Sequence, residues 1–276
     1  MSKHNNPIVV GILLVYYEKY ALSAIREFTK LIRSVTEDAK IIVVSNNSFL
    51  GLPTDDDIIR VAGDNSLREF SGWDKGISTA RNFGLLNNSR LVIFANDTYC
   101  HHNSYGIYTR HRFRAEFRKN IAGEQDLSLV GEKFTLGYQA SISGLTFNSW
   151  ISTYLFGVTT QLLFKLGQLS PTFTIEQVFR GSEDSQSEMT ELVSRNLSRY
   201  IESWLGMRDG SSGRWYGVQD GTAMSMEQYR GKAGAILCEK SLSASCENVG
   251  GKLIDVFPLK TGKLVRRFER FLTKHR

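Results

Sequence analysis

The hydrophobic pattern changes period along the chain, and the changes mark its elements. Residues 7–15 are an almost uninterrupted apolar run, as expected of a strand covered on both faces. Residues 20–34 then take a helical period, with Ala21, Leu22, Ile25, Phe28, Leu31 and Ile32 on one stripe. A second apolar strand spans residues 40–45 and closes on Asn46-Asn47-Ser48, and a shorter third covers 57–62. The pattern predicts a helix over 77–86, stopped by Asn87-Asn88-Ser89, and a fourth strand over 90–95 that ends in Asn96-Asp97-Thr98.

Strands alternating with helices predict an α/β fold with a mostly parallel sheet flanked by helices. Such sheets bind ligands outside the carboxyl ends of their strands. Three polar clusters fall at those ends: residues 46–48, 65–74 and 96–98. After Cys100 the pattern weakens. It predicts a helix over 109–120, a strand over 127–130, strand and turn over 134–145, and a long apolar helix over 148–167. Amphipathic or apolar helices follow over 188–205, 226–242 and 264–272. The expected organisation is a ligand-binding half, residues 1–125, and a helix-rich acceptor-side half, residues 126–276.

Composition narrows the setting. The three cysteines, Cys100, Cys238 and Cys246, form neither a zinc spacing nor a disulfide framework, which fits a reducing cytoplasm. Residues 1–7 are short and polar, not a secretory signal, and the apolar stretch 150–169 carries Gln161 and Lys165, a poor membrane span. The net charge is +6, and Lys260, Lys263, Arg266, Arg267, Arg270, Lys274 and Arg276 stand against Glu269 at the C-terminus. No helix-turn-helix, finger or aromatic-sheet motif accompanies this charge, which speaks against a nucleic-acid partner. Leu264, Val265, Phe268, Phe271 and Leu272 share one helical face of that basic segment. The spacing suits a peripheral helix on an anionic membrane, and equally a packed helix with a solvated basic face.

The chemistry concentrates at the strand ends. In Asn96-Asp97-Thr98, a carboxylate after an apolar strand can ligate Mg2+ or Mn2+, hard cations that also bridge diphosphate oxygens. The same residues can simply turn the chain. Read as a series, Ser45-Asn46-Asn47-Ser48, then Asn65, Gly72 and Gly76, then Ala80-Arg81-Asn82-Phe83-Gly84, then Phe94-Ala95-Asn96-Asp97-Thr98, the first hundred residues resemble glycosyltransferase family 2 and its GT-A relatives.

The resemblance implies a GT-A (Rossmann-like) fold and a nucleotide-diphosphate sugar as donor. It implies donor-binding roles for Ser45, Asn46, Asn47, Asp74, Arg81 and Asn96, and makes Asp97 the metal-carrying acid for Mn2+ or Mg2+. Ser45 stands where the family usually has aspartate, and Ala95 where it has Asp or Asn. An inverting transferase needs a base at the acceptor hydroxyl. Glu183-Asp184 matches the family's acidic pair, and Glu132 is the second candidate. Trp215-Tyr216 is the candidate acceptor platform, Trp150 and Trp204 read as core, and His101-His102 as surface histidines beside the metal strand. The implied activity is sugar transfer to a saccharide or lipid-linked acceptor in bacterial polysaccharide biosynthesis. The alternative is a catalytically degenerate module that scaffolds polysaccharide assembly.

Overall fold

The computed structural model describes residues 8–47, 58–102, 105–123, 126–180, 188–207, 224–258 and 260–274. The first strands form where the apolar runs are. β1 (Val9–Val15) lies between β2 (Ala39–Ser45) and β4 (Leu91–Asn96), parallel to both, and β3 (Ile58–Ala62) extends the sheet beyond β2. Every residue of β1 is buried, which is why this strand alternates nothing.

Helices cover both faces. α1 (Glu18–Val35) carries Ala21, Ala24, Ile25, Phe28, Leu31 and Ile32 onto the face holding Val9, Leu13 and Val15. α2 (Glu69–Asn82) lies on the other face, where Gly72 meets Leu14 and Gly76 meets Ile12. A Cβ at Gly76 would lie 2.5 Å from Ile12 Cγ2, so these glycines let the helix approach the sheet closely. The expected start at residue 77 is therefore corrected to Glu69: both glycines sit inside the helix and act as contact points rather than breakers. Trp73 of α2 packs against Phe94 and Phe156, and its Nε1 donates to the Ala95 carbonyl at 3.2 Å.

The chain then departs from the expected pattern. α3 (Ile107–Ala122) is followed by two long strands, β5 (Ser128–Ile142) and β6 (Leu145–Thr159), and by the short helix α4 (Thr160–Leu166). The helix expected over 148–167 is thus mostly strand. An apolar run alone does not separate the two states, and Trp150, Ile151, Thr153, Tyr154, Phe156, Val158 and Thr159 favour extended backbone through their β-branched and aromatic side chains. β6 pairs antiparallel with β4, placing Phe94 opposite Phe156 in a stacked pair.

The chain continues through α5 (Ile175–Val178), the β7–β8 ribbon (Phe179–Arg180 and Glu188–Met189), α6 (Arg195–Leu205), α7 (Met226–Asn248), β9 (Lys252–Asp255) and α8 (Lys260–Lys274). Among the described residues the main sheet has the order β3-β2-β1-β4-β6-β5-β9. The fold is α/β, with a mostly parallel sheet flanked by helices.

Two compact units are distinguishable. The first comprises Met1–Phe134, Ile151–Ser170 and Cys246–Arg276, and the second Thr135–Trp150 and Pro171–Ser245. The first has its core between the sheet, α1 and α3, around Phe28, Tyr99, Phe113 and Phe117. The second buries Phe147, Phe173, Phe179, Leu197, Ile201, Tyr229 and Leu237 among β5, α5, α6 and α7. Among the described residues no helix is long and apolar enough to cross a membrane.

Candidate active site

The strand order reverses at β1: β2 and β3 lie on one side, β4 on the other. A crevice outside the carboxyl ends of the strands is expected at such a switch point. Tyr16 and Tyr17 follow β1 there, Asn46 and Asn47 follow β2, and Asn96 ends β4 with Asp97 directly after it.

Asp97 joins two of these ends. Its Oδ2 accepts the backbone N–H groups of Tyr16 at 2.8 Å and Tyr17 at 2.6 Å. The residue is 2% exposed. Burial raises its carboxyl above the ordinary value of 3.8, the two amide bonds oppose that shift, and the Glu69 carboxylate adds to it. Asn96 Oδ1 accepts from the Thr98 hydroxyl at 2.9 Å and tightens the turn after β4.

Asn46 organises the second edge. Its Nδ2 donates to Asn65 Oδ1 at 3.2 Å and to the Arg68 carbonyl at 2.9 Å. Asn65 and Arg68 both have positive φ, 56° and 52°, so Asn46 ties down a strained loop leading into α2. Its Oδ1 is buried and finds no hydrogen-bond partner among the described residues. Gly63 leaves that oxygen room, since a Cβ there would lie 1.9 Å from it, and Gly72 packs beside it, where a Cβ would lie 3.2 Å away. Ser45 donates to the Asn47 carbonyl, and Asn47 Nδ2 reaches the Tyr16 carbonyl at 3.5 Å.

Two expected donor-binding residues face a different segment. Asp74 accepts the amides of Leu169 at 2.7 Å and Ser170 at 3.0 Å, and Arg81 donates to the Gly167 carbonyl at 2.7 Å. Both sit on α2 and hold the chain that leaves α4. The structure therefore brings Ser45, Asn46, Asn47, Asn96 and Asp97 to the sheet edge, with Asp74 and Arg81 engaged by residues 167–170.

Glu132 lies in β5 within an ionic cluster. It accepts from Tyr154 Oη at 2.8 Å and from Arg266 Nη2 at 3.0 Å, with side-chain exposures of 12% for Glu132 and 3% for Arg266. His101 and His102 turn to α1: His101 Nε2 lies 2.9 Å from Ser23 Oγ, and His102 Nε2 3.1 Å from Tyr20 Oη. Glu183, Asp184, Trp215 and Tyr216 lie outside the described residues.

The donor set at the strand ends does not build a cation centre by itself. Among the described residues no group of three or more His, Cys, Asp and Glu side chains is arranged to hold a metal. Asp97 is buried and has one oxygen committed to two amides, whereas Mg2+ and Mn2+ take several oxygen ligands.

Pattern reading missed two features. Glu69 acts on Asp97 from the first turn of α2, in a stretch that the pattern marks only as a polar cluster. In the second unit a cavity of about 360 Å3 is lined by Tyr138, Tyr200 and Trp204 with Asn196, Arg199 and Ser203. The i, i+4 spacing of Tyr200 and Trp204 on α6 was the available signal.

No protein-family model matches the chain, and no curated protein matches it. Among solved structures it is similar to the mannosyltransferase PcManGT from Pyrobaculum calidifontis in complex with GDP-Man and Mn2+. That likeness covers 98% of this chain and 86% of that chain, at 12% identity and a TM-score of 0.34. A likeness of that strength assigns neither substrate nor metal.

Proposed function

We propose that the chain is a glycosyltransferase that takes a sugar from a nucleotide-diphosphate donor bound across the carboxyl ends of β1, β2 and β4. The observation that carries this reading is Asn46 Oδ1, a buried acceptor with no partner at the edge where such sheets bind ligands. A base N–H or ribose hydroxyl of the donor would satisfy it. The motif series from Ser45 to Thr98 supports the same assignment. The acceptor is a saccharide or lipid-linked saccharide of bacterial polysaccharide synthesis, and the transfer is inverting.

Mn2+ or Mg2+ belongs to this proposal as a companion of the donor's diphosphate, with Asp97 the carboxylate nearest the strand end. Glu183 and Asp184 remain the proposed base pair. The cavity lined by Tyr138, Tyr200 and Trp204 is the proposed saccharide-binding surface of the second unit: aromatic faces suit sugar C–H surfaces, and Asn196, Arg199 and Ser203 suit hydroxyls.

Titration calorimetry with UDP-, GDP- and dTDP-sugars, with and without Mn2+, tests the reading. Saturable binding of one donor is expected, weakened by roughly 3- to 10-fold or more in Asn46→Ala, which removes the hydrogen bond to the donor and the two that hold the loop before α2. Failure to bind any nucleotide sugar sinks it. A catalytically degenerate binding module is the second reading, favoured by the engagement of Asp74 and Arg81 with residues 167–170. Donor binding without hydrolysis or transfer would select it.

A further inference from the structure

A surface helix normally turns its apolar stripe toward the protein and its charges toward water. α8 does the reverse. Its inward contacts are polar: Arg266 is 3% exposed and donates to Glu132 Oε2 at 3.0 Å, Tyr154 Oη at 2.8 Å and Thr109 Oγ1 at 2.9 Å. One turn on, Glu269 accepts the amide of Tyr108 at 3.0 Å and that of Thr109 at 3.3 Å, together with the Thr109 hydroxyl. Gly262 is buried on the same side, where a Cβ would meet Tyr108 Oη at 2.9 Å.

The large apolar side chains lie on the opposite face. Leu264 is 61% exposed, Phe268 64%, Phe271 60% and the flanking Val265 45%. Leu264, Phe268 and Phe271 recur at i, i+4 and i+7, so they form one continuous outward stripe. Exposing large apolar side chains opposes the hydrophobic drive to bury them. The polar inward face holds the helix in this orientation.

The charge around the stripe identifies what covers it. Glu269 is the sole acid of residues 260–276, and α3 holds its carboxylate. Arg267 is exposed beside the stripe, and the sequence adds Lys263, Arg270 and Lys274 on the same helix. An apolar stripe on a segment whose other charges are all positive repels a second copy of itself and complements an anionic lipid surface. We infer that α8 is a membrane-docking helix, clamped to the protein by Arg266 and Glu269 with its Leu264–Phe268–Phe271 face outward to enter the interface of an anionic bilayer.

Vesicle co-sedimentation of the full chain tests this without reference to sugar transfer. Phosphatidylcholine–phosphatidylglycerol vesicles are expected to retain the protein about tenfold or more better than phosphatidylcholine alone, less so as salt rises. The Leu264→Ser/Phe268→Ser variant is expected to lose that retention. Both side chains are exposed, so its circular dichroism and melting midpoint should match wild type. The inference is overturned if wild type ignores phosphatidylglycerol vesicles or if the variant binds as well as wild type. It is also overturned if wild type ignores lipid and sediments as a dimer that the variant dissolves.

Discussion

Asp97 Oδ2 accepts the backbone N–H of Tyr17 at 2.6 Å across 80 residues of sequence. With the Tyr16 amide at 2.8 Å, this contact ties the loop after β1 to the end of β4 at the switch point of the sheet. Under the proposed function the same carboxylate would also act on the donor, and two substitutions separate that duty from loop positioning. Asp97→Ala orphans two partly buried N–H groups and should destabilise the protein by about 1–2 kcal/mol. Asp97→Asn keeps an acceptor oxygen and should leave stability within about 0.5 kcal/mol at neutral pH, while lowering donor affinity. Urea denaturation with donor calorimetry on both variants checks this. Equal stability of Asp97→Ala and wild type would remove the positioning role.

The raised carboxyl of Asp97 makes a signed pH prediction. A group whose proton is held more tightly in the folded state contributes stability fully below its unfolded value, here 3.8, and loses it as pH rises through the folded value. Wild type should therefore lose stability relative to Asp97→Asn on raising pH above 3.8, by at most about 1.4 kcal/mol per pH unit, and the difference should then level off. Stability curves of the two proteins across the acid range give the result directly. A wild type that gains on Asp97→Asn over that interval would contradict the assignment.

Glu132 poses a choice between base and anchor. Its carboxylate accepts from Arg266 and Tyr154, and Arg266 is nearly fully buried. Removing the charge by Glu132→Gln leaves a buried guanidinium uncompensated, a loss of about 3–5 kcal/mol. Adding Arg266→Met should recover most of it, because a matched apolar replacement of a buried pair is close to neutral. A catalytic base would behave differently: Glu132→Gln would abolish turnover in a protein that melts like wild type. Melting curves for the single and double variants separate the outcomes.

What sequence pattern can carry is visible in these residues. β1, β2 and β4 were legible because strands buried on both faces leave a continuous apolar run, and Asp97 was legible as the residue directly after one of them. Its partners were not, since backbone amides have no signature in sequence. The apolar run over 148–159 predicts helix where the chain forms β6, because length and apolarity do not distinguish the two and β-branched content is a weak discriminator. The stripe on α8 was legible in amplitude but not in direction, because a periodic pattern does not say which face meets the protein. That direction depends on Glu132, Tyr154 and Thr109, residues far away in the chain.

Lys240 allows the second unit's core to be tested in the same way. It is 2% exposed on α7, with its ammonium 3.6 Å from the Trp150 ring centroid and 2.8 Å from Glu239. Burial lowers its proton affinity below the usual value of 10.5, and Glu239 only partly opposes that. The unfolded chain therefore binds more protons than the folded one between the lowered value and 10.5, so stability should rise with pH over that interval. Lys240→Met preserves length and apolar stem while removing the charge. It should flatten that rise and keep or raise stability at neutral pH, although the cation–π contact of about 0.5–2 kcal/mol is lost. Lys240→Ala should instead cost about 2–4 kcal/mol through the cavity it leaves beside Trp150. Denaturant midpoints measured from neutral to alkaline pH decide the matter. If Lys240→Met is the less stable protein throughout and retains the wild-type slope, the buried ammonium is a net stabiliser and the predicted sign is wrong.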